Sequence, residues 1–395
     1  MFSSRVPDRL TSNRIGRALA RLRAADVPII DLTESNPTRA AFRYPAGLLD
    51  ALSAPAALDY RPEPLGLSAA RQVIAGYLRR YDLDVEAGRV VLTASTSDAY
   101  AALFKLLCDP GDEVLVPHPS YPLFEHLTRL EGVEAAPYAL EYHGRWEINL
   151  AHLRGCLTPR TRAILLVNPN NPTGSFVSSD ELDAVVALCQ AGDLALIVDE
   201  VFGFYPMTGG RRGPSVLDRP AEVLTFSLGG LSKAVGLPQL KLGWMIAAGP
   251  PPLVERALTR LELICDTYLS VATPVQLAAR TILDIGVSIT EQIGQRIRQN
   301  YAMLQALAEG HPASRLLSVD GGWYATLQVP ATQSEDALVL DLLGRERVLV
   351  HPGYFFDFPR EAFLVLSLLP EPDPFEDAVT RVLARAAGER RAPHR

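Results

Sequence analysis

The feature that most constrains the fold of this chain is a repeated pairing of short apolar segments with segments of helical periodicity. The pairing begins near residue 90 and continues to about residue 250. Strands that are apolar on both faces usually pair in parallel and are covered by helices on both sides. We therefore predict an α/β domain built around a mostly parallel sheet. Its strands are expected at residues 90–92, 113–116, 163–167, 194–198, 223–226 and 242–247.

After residue 250 the pattern changes to long helices followed by alternating strands, which is typical of a smaller α+β domain. We expect an N-terminal segment, residues 1–45, that joins this small domain, a large domain at 46–285 and the small C-terminal domain at 286–395. The elements expected in the second half are helices at residues 251–263, 274–283, 289–308 and 375–386, and strands at 323–329, 348–350 and 363–367.

Composition and charge argue against several classes of protein. The 395 residues include 38 basic and 45 acidic side chains, and the net charge of −7 provides no basic face for nucleic acid. The four cysteines include no CxxC pair, so neither disulfides nor a metal site is expected. No apolar run is long enough to span a bilayer, and the N-terminal residues lack the apolar core of a signal peptide. We therefore expect a cytoplasmic protein without membrane or nucleic-acid partners.

Polar residues are concentrated in the loops that follow the predicted strands. In parallel α/β sheets, ligands bind outside the carboxyl ends of the strands, so these loops are the candidate site. None of them contains GxGxxG or GxxxxGK[ST], and a nucleotide-phosphate loop is therefore not indicated. Ser95, Thr96 and Ser97 lie where a helix is expected to begin, and free N–H groups beside hydroxyls suit an anion.

Three further loops contain residues whose chemistry the sequence alone leaves open. Residues 168–174, Asn-Pro-Asn-Asn-Pro-Thr-Gly, have the composition of a turn. Asp199 ends an apolar strand and could cap a helix or bind a metal. Lys233 follows Ser232 near a strand end; such a lysine is usually solvated, but a desolvated one becomes a nucleophilic amine.

The order and spacing of these loops resemble those of the pyridoxal-phosphate (PLP) dependent class I/II aminotransferases of the aspartate aminotransferase superfamily. Residues 168–174 resemble the family's NPxNPTG loop, and Ser232-Lys233 with 242–244, Leu-Gly-Trp, resembles its lysine block. The resemblance covers nearly the whole chain. It implies PLP fold type I, with a mostly parallel seven-stranded sheet between helices plus a smaller α+β domain, and a homodimer with shared active sites.

The resemblance also implies a role for each candidate residue. Lys233 would carry PLP as an internal aldimine and move the proton during catalysis, while Asp199 would keep the ring nitrogen protonated. Asn171 would meet the ring hydroxyl, and Tyr121 would stack on the ring. The other cofactor-binding positions that it implies are Ser95, Thr96, Ser97, Phe202, Ser232, Lys241 and Tyr60, the last reaching the cofactor of the partner subunit.

Three positions depart from the family pattern. Phe202 stands where a tyrosine usually donates to the ring oxygen, and Lys241 replaces an arginine that binds the phosphate. Val365 stands where an arginine usually holds the substrate carboxylate. Losing one partner of a buried charge pair costs about 2–5 kcal/mol, so another cation is expected to hold this carboxylate, or the substrate is held differently. Our first candidate is Arg39, followed by Arg43 and Arg360.

The function implied by the resemblance is transfer of an amino group between an amino acid and a 2-oxo acid. Ser35, Asn36, Arg39 and Asn171 are the expected substrate-binding residues. Phe202 and Val365 leave open an alternative, in which the same fold performs other PLP chemistry on an amino acid as a lyase, cyclase, decarboxylase or oxidase. A PLP-binding regulator is less favoured, because the N-terminal segment is too short for a DNA-binding domain.

Overall fold

The computed structural model describes residues 1–7 and 11–388. The last residues of the predicted small domain, 389–395, therefore lie outside the description. The helices are α1 (Arg14–Ala24), α2 (Ser68–Arg79), α3 (Thr96–Leu107), α4 (Phe124–Leu130), α5 (Leu150–Gly155), α6 (Ser179–Gly192), α7 (Leu231–Ala234), α8 (Pro251–Tyr268), α9 (Thr273–Glu309), α10 (Glu335–Asp341) and α11 (Pro372–Ala386). The strands are β1 (Ile30–Asp31), β2 (Val90–Thr93), β3 (Glu113–His118), β4 (Glu134–Tyr142), β5 (Trp146–Ile148), β6 (Thr161–Val167), β7 (Ala195–Asp199), β8 (Thr225–Gly230), β9 (Gly243–Ala248), β10 (Arg315–Leu316), β11 (Tyr324–Gln328), β12 (Val348–Leu349), β13 (His351–Pro352) and β14 (Phe363–Ser367).

The large sheet has eight strands in the order β2-β9-β8-β7-β6-β3-β4-β5. The run from β8 to β4 is parallel, whereas β9 and β5 are antiparallel to their neighbours. The predicted α/β class and mostly parallel sheet are confirmed, but the predicted number of seven strands is wrong. The β4–β5 hairpin was not predicted, because β5 has only 3 residues and the charged Glu147 separates its two apolar ones.

Successive residues of the central strands contribute to two different hydrophobic cores. Leu165 and Ile197 pack with side chains of α3, α4 and α8, whereas Leu166 and Leu196 pack with side chains of α2, α6 and α9. The side chains of a strand alternate between the two faces of the sheet, so each central strand is buried on both sides. This double burial explains why these strands are continuously apolar in sequence.

Helix α9 is a single helix of 37 residues, where the sequence analysis predicted two helices separated near residue 286. A Cβ atom added to Gly286 would lie 2.4 Å from Cγ1 of Val235. The glycine therefore allows close packing against Val235 and does not end the helix. The predicted domain boundary at residue 285 falls inside α9.

The smaller sheet is antiparallel, in the order β10-β11-β14-β13. Strand β1 pairs in parallel with β12, so the N-terminal segment contacts the C-terminal part of the chain. The amide of Ser367 donates to the carbonyl of Leu32 at 2.7 Å, and its Oγ donates to the carbonyl of Glu34 at 2.6 Å. These bonds fix the turn at residues 33–36 against the end of β14.

The loop at 168–174 connects the two sheets. The carbonyl of Gly174 accepts hydrogen bonds from the amides of Asp320 and Gly321, both at 2.9 Å. Gly174 has a φ of +72°, and a Cβ atom there would lie 2.4 Å from Cγ1 of Val319. Only glycine meets both requirements, so this contact explains the end of the motif. Within residues 1–7 and 11–388, no helix combines the length and hydrophobicity that a bilayer-spanning segment requires.

Candidate active site

A cavity of about 150 Å³ lies at the carboxyl ends of β6, β7 and β8. The start of α3 and the first residue of β11 complete its wall, so both sheets contribute to it. This is the position at which ligands bind in open parallel sheets. The residues predicted from the sequence that line the cavity are Ser35, Ser95, Thr96, Ser97, Tyr121, Asn171, Asp199, Phe202, Ser232 and Lys233.

Four other predicted residues do not line this cavity in the single chain. Asn36 caps the short 3-10 turn that follows it, with Oδ1 accepting from the amide of Thr38 at 3.1 Å. Arg39 and Lys241 are exposed, and Lys241 has a left-handed backbone with a φ of +51°. Tyr60 is 78% exposed. The proposed roles of these four residues remain predictions.

Lys233 extends from α7, directly after β8, into a surrounding of aromatic rings. Its Nζ lies 4.7 Å from the ring centroid of Trp323 and 5.3 Å from that of Phe202. Burial disfavours the ammonium form and lowers the pKa of Lys233 to about 8, while the charge of Asp199 opposes this shift. A substantial fraction of neutral, nucleophilic amine therefore exists near neutral pH.

Asp199 ends β7 and is 7% exposed. Its Oδ2 accepts a hydrogen bond from the hydroxyl of Tyr100 at 2.8 Å, and its Oδ1 accepts one from the amide of Val201 at 3.1 Å. Burial raises the pKa of this carboxyl group, while the two hydrogen bonds and Lys233 lower it. The neighbouring Glu200 accepts from the hydroxyl of Ser227 at 2.6 Å and does not line the cavity.

The sequence analysis did not identify Tyr100 as a site residue. It lies four residues after Thr96 on α3, and residues at this spacing share one face of a helix. That spacing from the Ser95–Ser97 segment was the available signal. A tyrosine at this position is also a normal core residue, so the spacing alone does not distinguish the two roles.

The N-terminus of α3 forms one end of the cavity. Ser95 caps the helix by accepting from the amide of Asp98 at 3.1 Å, and the hydroxyl-bearing residues 95–97 line the wall. A Cβ atom on Gly243 would lie 3.0 Å from the backbone carbon of Ser95, so the glycine lets β9 approach this turn closely. A helix N-terminus with several hydroxyls binds an anion such as a phosphate.

Asn171 lines the cavity next to these groups. Its Oδ1 is buried and has no hydrogen-bond partner among the described residues. Buried polar side chains are nearly always paired, so the amide is suited to a polar group of a bound ligand.

Phe202 and Tyr205 determine whether a phenol group is available to the cavity at this position. Phe202 is 4% exposed and packs edge-to-face on Trp323, with ring centroids 5.3 Å apart. The hydroxyl of Tyr205 donates to the backbone carbonyl of Lys233 and does not enter the cavity. Neither side chain therefore offers the cavity a phenol donor at this position.

Tyr324 is a second site residue that the sequence analysis missed. Its side chain lines the cavity, its hydroxyl interacts with the side chain of Ser35, and burial raises the pKa of the phenol, which stays protonated. Tyr324 pairs with Ser367 on β14, whereas Val365 pairs with Thr326 and is fully buried. The alternating strand at 323–329 was the available signal, but alternation does not identify which face meets a ligand.

Cations are scarce at the cavity. Among the described residues that line it, Lys233 is the only cation and Asp199 the only carboxylate. The three arginines suggested from the sequence, Arg39, Arg43 and Arg360, are not among them. Within the described ranges, no three His, Cys, Asp or Glu side chains come together as a metal site would require.

Comparisons with known proteins agree with this arrangement. Residues 37–376 match the family model described as aminotransferase class I and II. The chain is 29% identical over 371 residues to the glutamate-pyruvate aminotransferase AlaA of Haemophilus influenzae, covering 92% of this chain and 91% of that protein. It is 30% identical over 375 residues to the arginine–pyruvate transaminase AruH of Pseudomonas aeruginosa, with coverage of 94% and 93%. A solved aminotransferase from Escherichia coli superposes with a TM-score of 0.86 at 25% identity, covering 99% of each chain.

We expect Lys233 to react with cyanate with a half-maximal rate near pH 8, because burial lowers its pKa to about 8. The chain has three lysines, Lys105, Lys233 and Lys241, so peptide mass spectrometry after pulsed labelling resolves each one. Asp199→Asn should lower the pKa of Lys233 further, since it removes the charge that favours the ammonium. A pH profile of Lys233 that coincides with that of the exposed Lys241 would contradict this prediction.

Proposed function

This chain belongs to the class I and II aminotransferases. From the residues that line its cavity, we propose which of them perform the reaction of that family. The family depends on PLP and exchanges the amino group of an amino acid with a 2-oxo acid. We propose that Lys233 holds the cofactor and moves the proton, that Asp199 faces its ring nitrogen, and that the start of α3 holds its phosphate.

The cavity contains the groups that PLP requires. The buried, unpaired Oδ1 of Asn171 is suited to a ring substituent, and the capped start of α3 is suited to the phosphate. The observation that carries the proposal is that one amine of lowered pKa and one buried carboxylate face the same cavity. When bound, PLP supplies an aldehyde that condenses with amines and a ring that takes up the electron pair released at the substrate Cα.

The residues of the chain then have separate tasks. The neutral amine of Lys233 takes the proton from the substrate Cα, for which a pKa of about 8 is well matched to neutral pH. Trp323 and Phe202 flank that amine, exclude water from it and offer their ring faces to its ammonium form. Asp199 provides the negative charge that a protonated ring nitrogen requires. The aromatic ring of Tyr121 forms part of the wall at which the cofactor ring is proposed to stack.

Borohydride reduction of the PLP-loaded enzyme tests the assignment. We expect the reduced cofactor to be attached to Lys233 and not to Lys105 or Lys241, because only Lys233 lines the cavity. Lys233→Ala should lose both the label and turnover, and Lys241→Ala should retain the label. With alanine as the only substrate, the wild-type cofactor should convert to its amine form. Attachment to another lysine would contradict the assignment, and ammonia release in place of this conversion would favour the lyase alternative.

The substrate is proposed from two further observations. The two relatives from Haemophilus influenzae and Pseudomonas aeruginosa are both named as aminotransferases of pyruvate, so we propose alanine and pyruvate as one substrate pair. Among the described lining residues, no arginine is available for the carboxylate. We propose that the hydroxyl of Tyr324, together with Ser35 and Asn171, binds the substrate carboxylate. Arg39 contributes its positive charge from the adjacent turn. Tyr324 and Val365 lie on the same face of the small sheet, since Val365 pairs with Thr326, two residues after Tyr324.

Tyr324→Phe is expected to raise KM for the amino acid about 10- to 100-fold, since a hydrogen bond to a charged group contributes about 1.5–3 kcal/mol. PLP affinity should change little. Arg39→Ala reports separately on the contribution of the turn, and Tyr301→Phe is the control, because that hydroxyl accepts from the amide of Val319 and does not line the cavity. Steady-state kinetics of the three variants with alanine and pyruvate make the comparison. Unchanged KM in Tyr324→Phe would refute the proposed contact.

We also propose that two copies of the chain complete each other's sites. Several large apolar side chains are exposed on the described surface and are available to an interface. After Met1 and Phe2, the most exposed of them are Leu58 (90% exposed), Tyr60 (78%), Leu263 (73%) and Tyr268 (61%). Tyr60 shares a surface cavity with Ser270, whose hydroxyl donates to Asp98 on the first turn of α3 at 2.6 Å.

Mixing variants tests this sharing. If Tyr60 acts in the partner's site, a hybrid of Tyr60→Ala and Lys233→Ala chains contains one intact site and should recover activity. A hybrid of Lys233→Ala and Asp199→Asn should stay inactive, because both residues belong to the same site. Light scattering should give the mass of a dimer. An active monomer, or no recovery in the first hybrid, would rule out the shared site.

A further inference from the structure

The hydroxyl of Tyr100 is committed to a single acceptor. It donates to Oδ2 of Asp199 at 2.8 Å, and Tyr100 itself is only 2% exposed. The ring is held between Phe104 and Phe124, with centroids 5.9 Å and 5.4 Å away. Burial and the nearby carboxylate raise the pKa of this phenol well above its ordinary value, so Tyr100 is a permanent donor.

We propose that Tyr100 is a positioning residue for the aminotransferase reaction, which keeps Asp199 ionised and oriented so that the proton of the cofactor resides on its ring nitrogen. The inference rests on the proposed role of Asp199. The role proposed for Tyr100 is exerted through its hydrogen bond to the carboxylate and not through contact with the reacting atoms.

One proton can be held either by the carboxyl group of Asp199 or by the ring nitrogen of the cofactor. A carboxyl group as buried as Asp199 would be neutral without donors, since desolvation disfavours its charge. The groups that counter this cost are the hydroxyl of Tyr100, the amide of Val201 and the charge of Lys233. Of these, Lys233 loses its charge whenever its amine is neutral, and burial lowers its pKa to about 8. Tyr100 and Val201 therefore provide the stabilisation that does not vary during the reaction.

The geometry also leaves a free acceptor site on the carboxylate. Tyr100 occupies one position on Oδ2 and Val201 one position on Oδ1, while a carboxylate has about four acceptor sites. Tyr100, Val201 and Asp199 all line the cavity, so the carboxylate remains accessible to a bound ligand beside its two donors. A stabilised carboxylate then draws the proton onto the ring nitrogen, whereas a neutral carboxyl group would leave that nitrogen unprotonated and weaken the ring as an electron acceptor.

The test uses Tyr100→Phe, which removes only the hydroxyl, and Tyr138→Phe as a matched control. Tyr138 is equally buried, and its hydroxyl donates at the same distance, 2.8 Å, to the carbonyl of Leu165 in the same sheet. Each protein is reconstituted with PLP labelled with nitrogen-15 in the ring, and the nitrogen chemical shift is recorded against pH. The dissociation constant of PLP is measured in parallel.

In Tyr100→Phe we expect the nitrogen signal to move toward its unprotonated position at neutral pH. The dissociation constant of PLP should rise about 10- to 100-fold, the loss expected for a hydrogen bond to a charged group. Tyr138→Phe should match the wild type in both measurements. Equal effects of the two substitutions would indicate a general packing role and overturn the inference.

A double-mutant comparison separates this inference from the proposed role of Asp199. In an Asp199→Asn background, Tyr100→Phe should cause no further change, because its effect passes through the carboxylate. This double variant also lacks the buried charge, so it provides the comparison even if Tyr100→Phe alone folds poorly. If Asp199→Asn leaves the nitrogen signal unchanged, the role of Asp199 fails. If Asp199→Asn moves the signal but Tyr100→Phe does not, only the role of Tyr100 fails.

Discussion

Burial of one amine and one carboxylate at the same end of a parallel sheet is the constraint on which the rest of the site depends. Lys233 and Asp199 follow neighbouring strands, β8 and β7, so their side chains reach the same cavity. Burying either charge alone is costly, and the surrounding residues are arranged to limit that cost. Tyr100 and Val201 donate to the carboxylate, and the rings of Trp323 and Phe202 face the amine.

The cavity also depends on contacts between the two sheets. The carbonyl of Gly174 accepts from the amides of Asp320 and Gly321, and the end of β14 holds the turn that contains Ser35. Asn171, Tyr324 and Ser35 are far apart in sequence but are brought to one wall by these backbone hydrogen bonds. The proposed substrate contacts therefore depend on the relative position of the two sheets. Glycine is required at the end of the 168–174 loop because a Cβ atom there would collide with Val319.

The departures from the family pattern make physical sense in this setting. Val365 is fully buried in the small sheet, so an arginine at this position would displace core packing in the present arrangement. Phe202 packs on Trp323, and together they form an apolar surrounding for the amine of Lys233. The chain thus has fewer ionic and hydrogen-bonding groups around the lysine and the carboxylate position than the family pattern implies. In the proposed site, neutral donors bind the substrate carboxylate, and burial is what lowers the pKa of Lys233.

Much of the fold, and the place of several residues around the cavity, could be predicted from the sequence. Doubly buried strands are apolar along their whole length, and Asn171, Asp199 and Lys233 lie in the loops that follow those strands, at one edge of the sheet. The roles proposed for them came from the resemblance to the family. Other features were decided only by tertiary contacts. In the sequence, Gly286 is typical of a helix end, and only the tertiary structure shows that it allows Val235 to pack closely against the helix. Similarly, β5 is a strand only because it pairs with β4. In the sequence, Tyr100 and Tyr324 cannot be distinguished from ordinary core aromatic residues. Whether a buried hydroxyl contacts a carboxylate or a cavity depends on how distant segments pack, and the periodicity of one segment does not encode that packing.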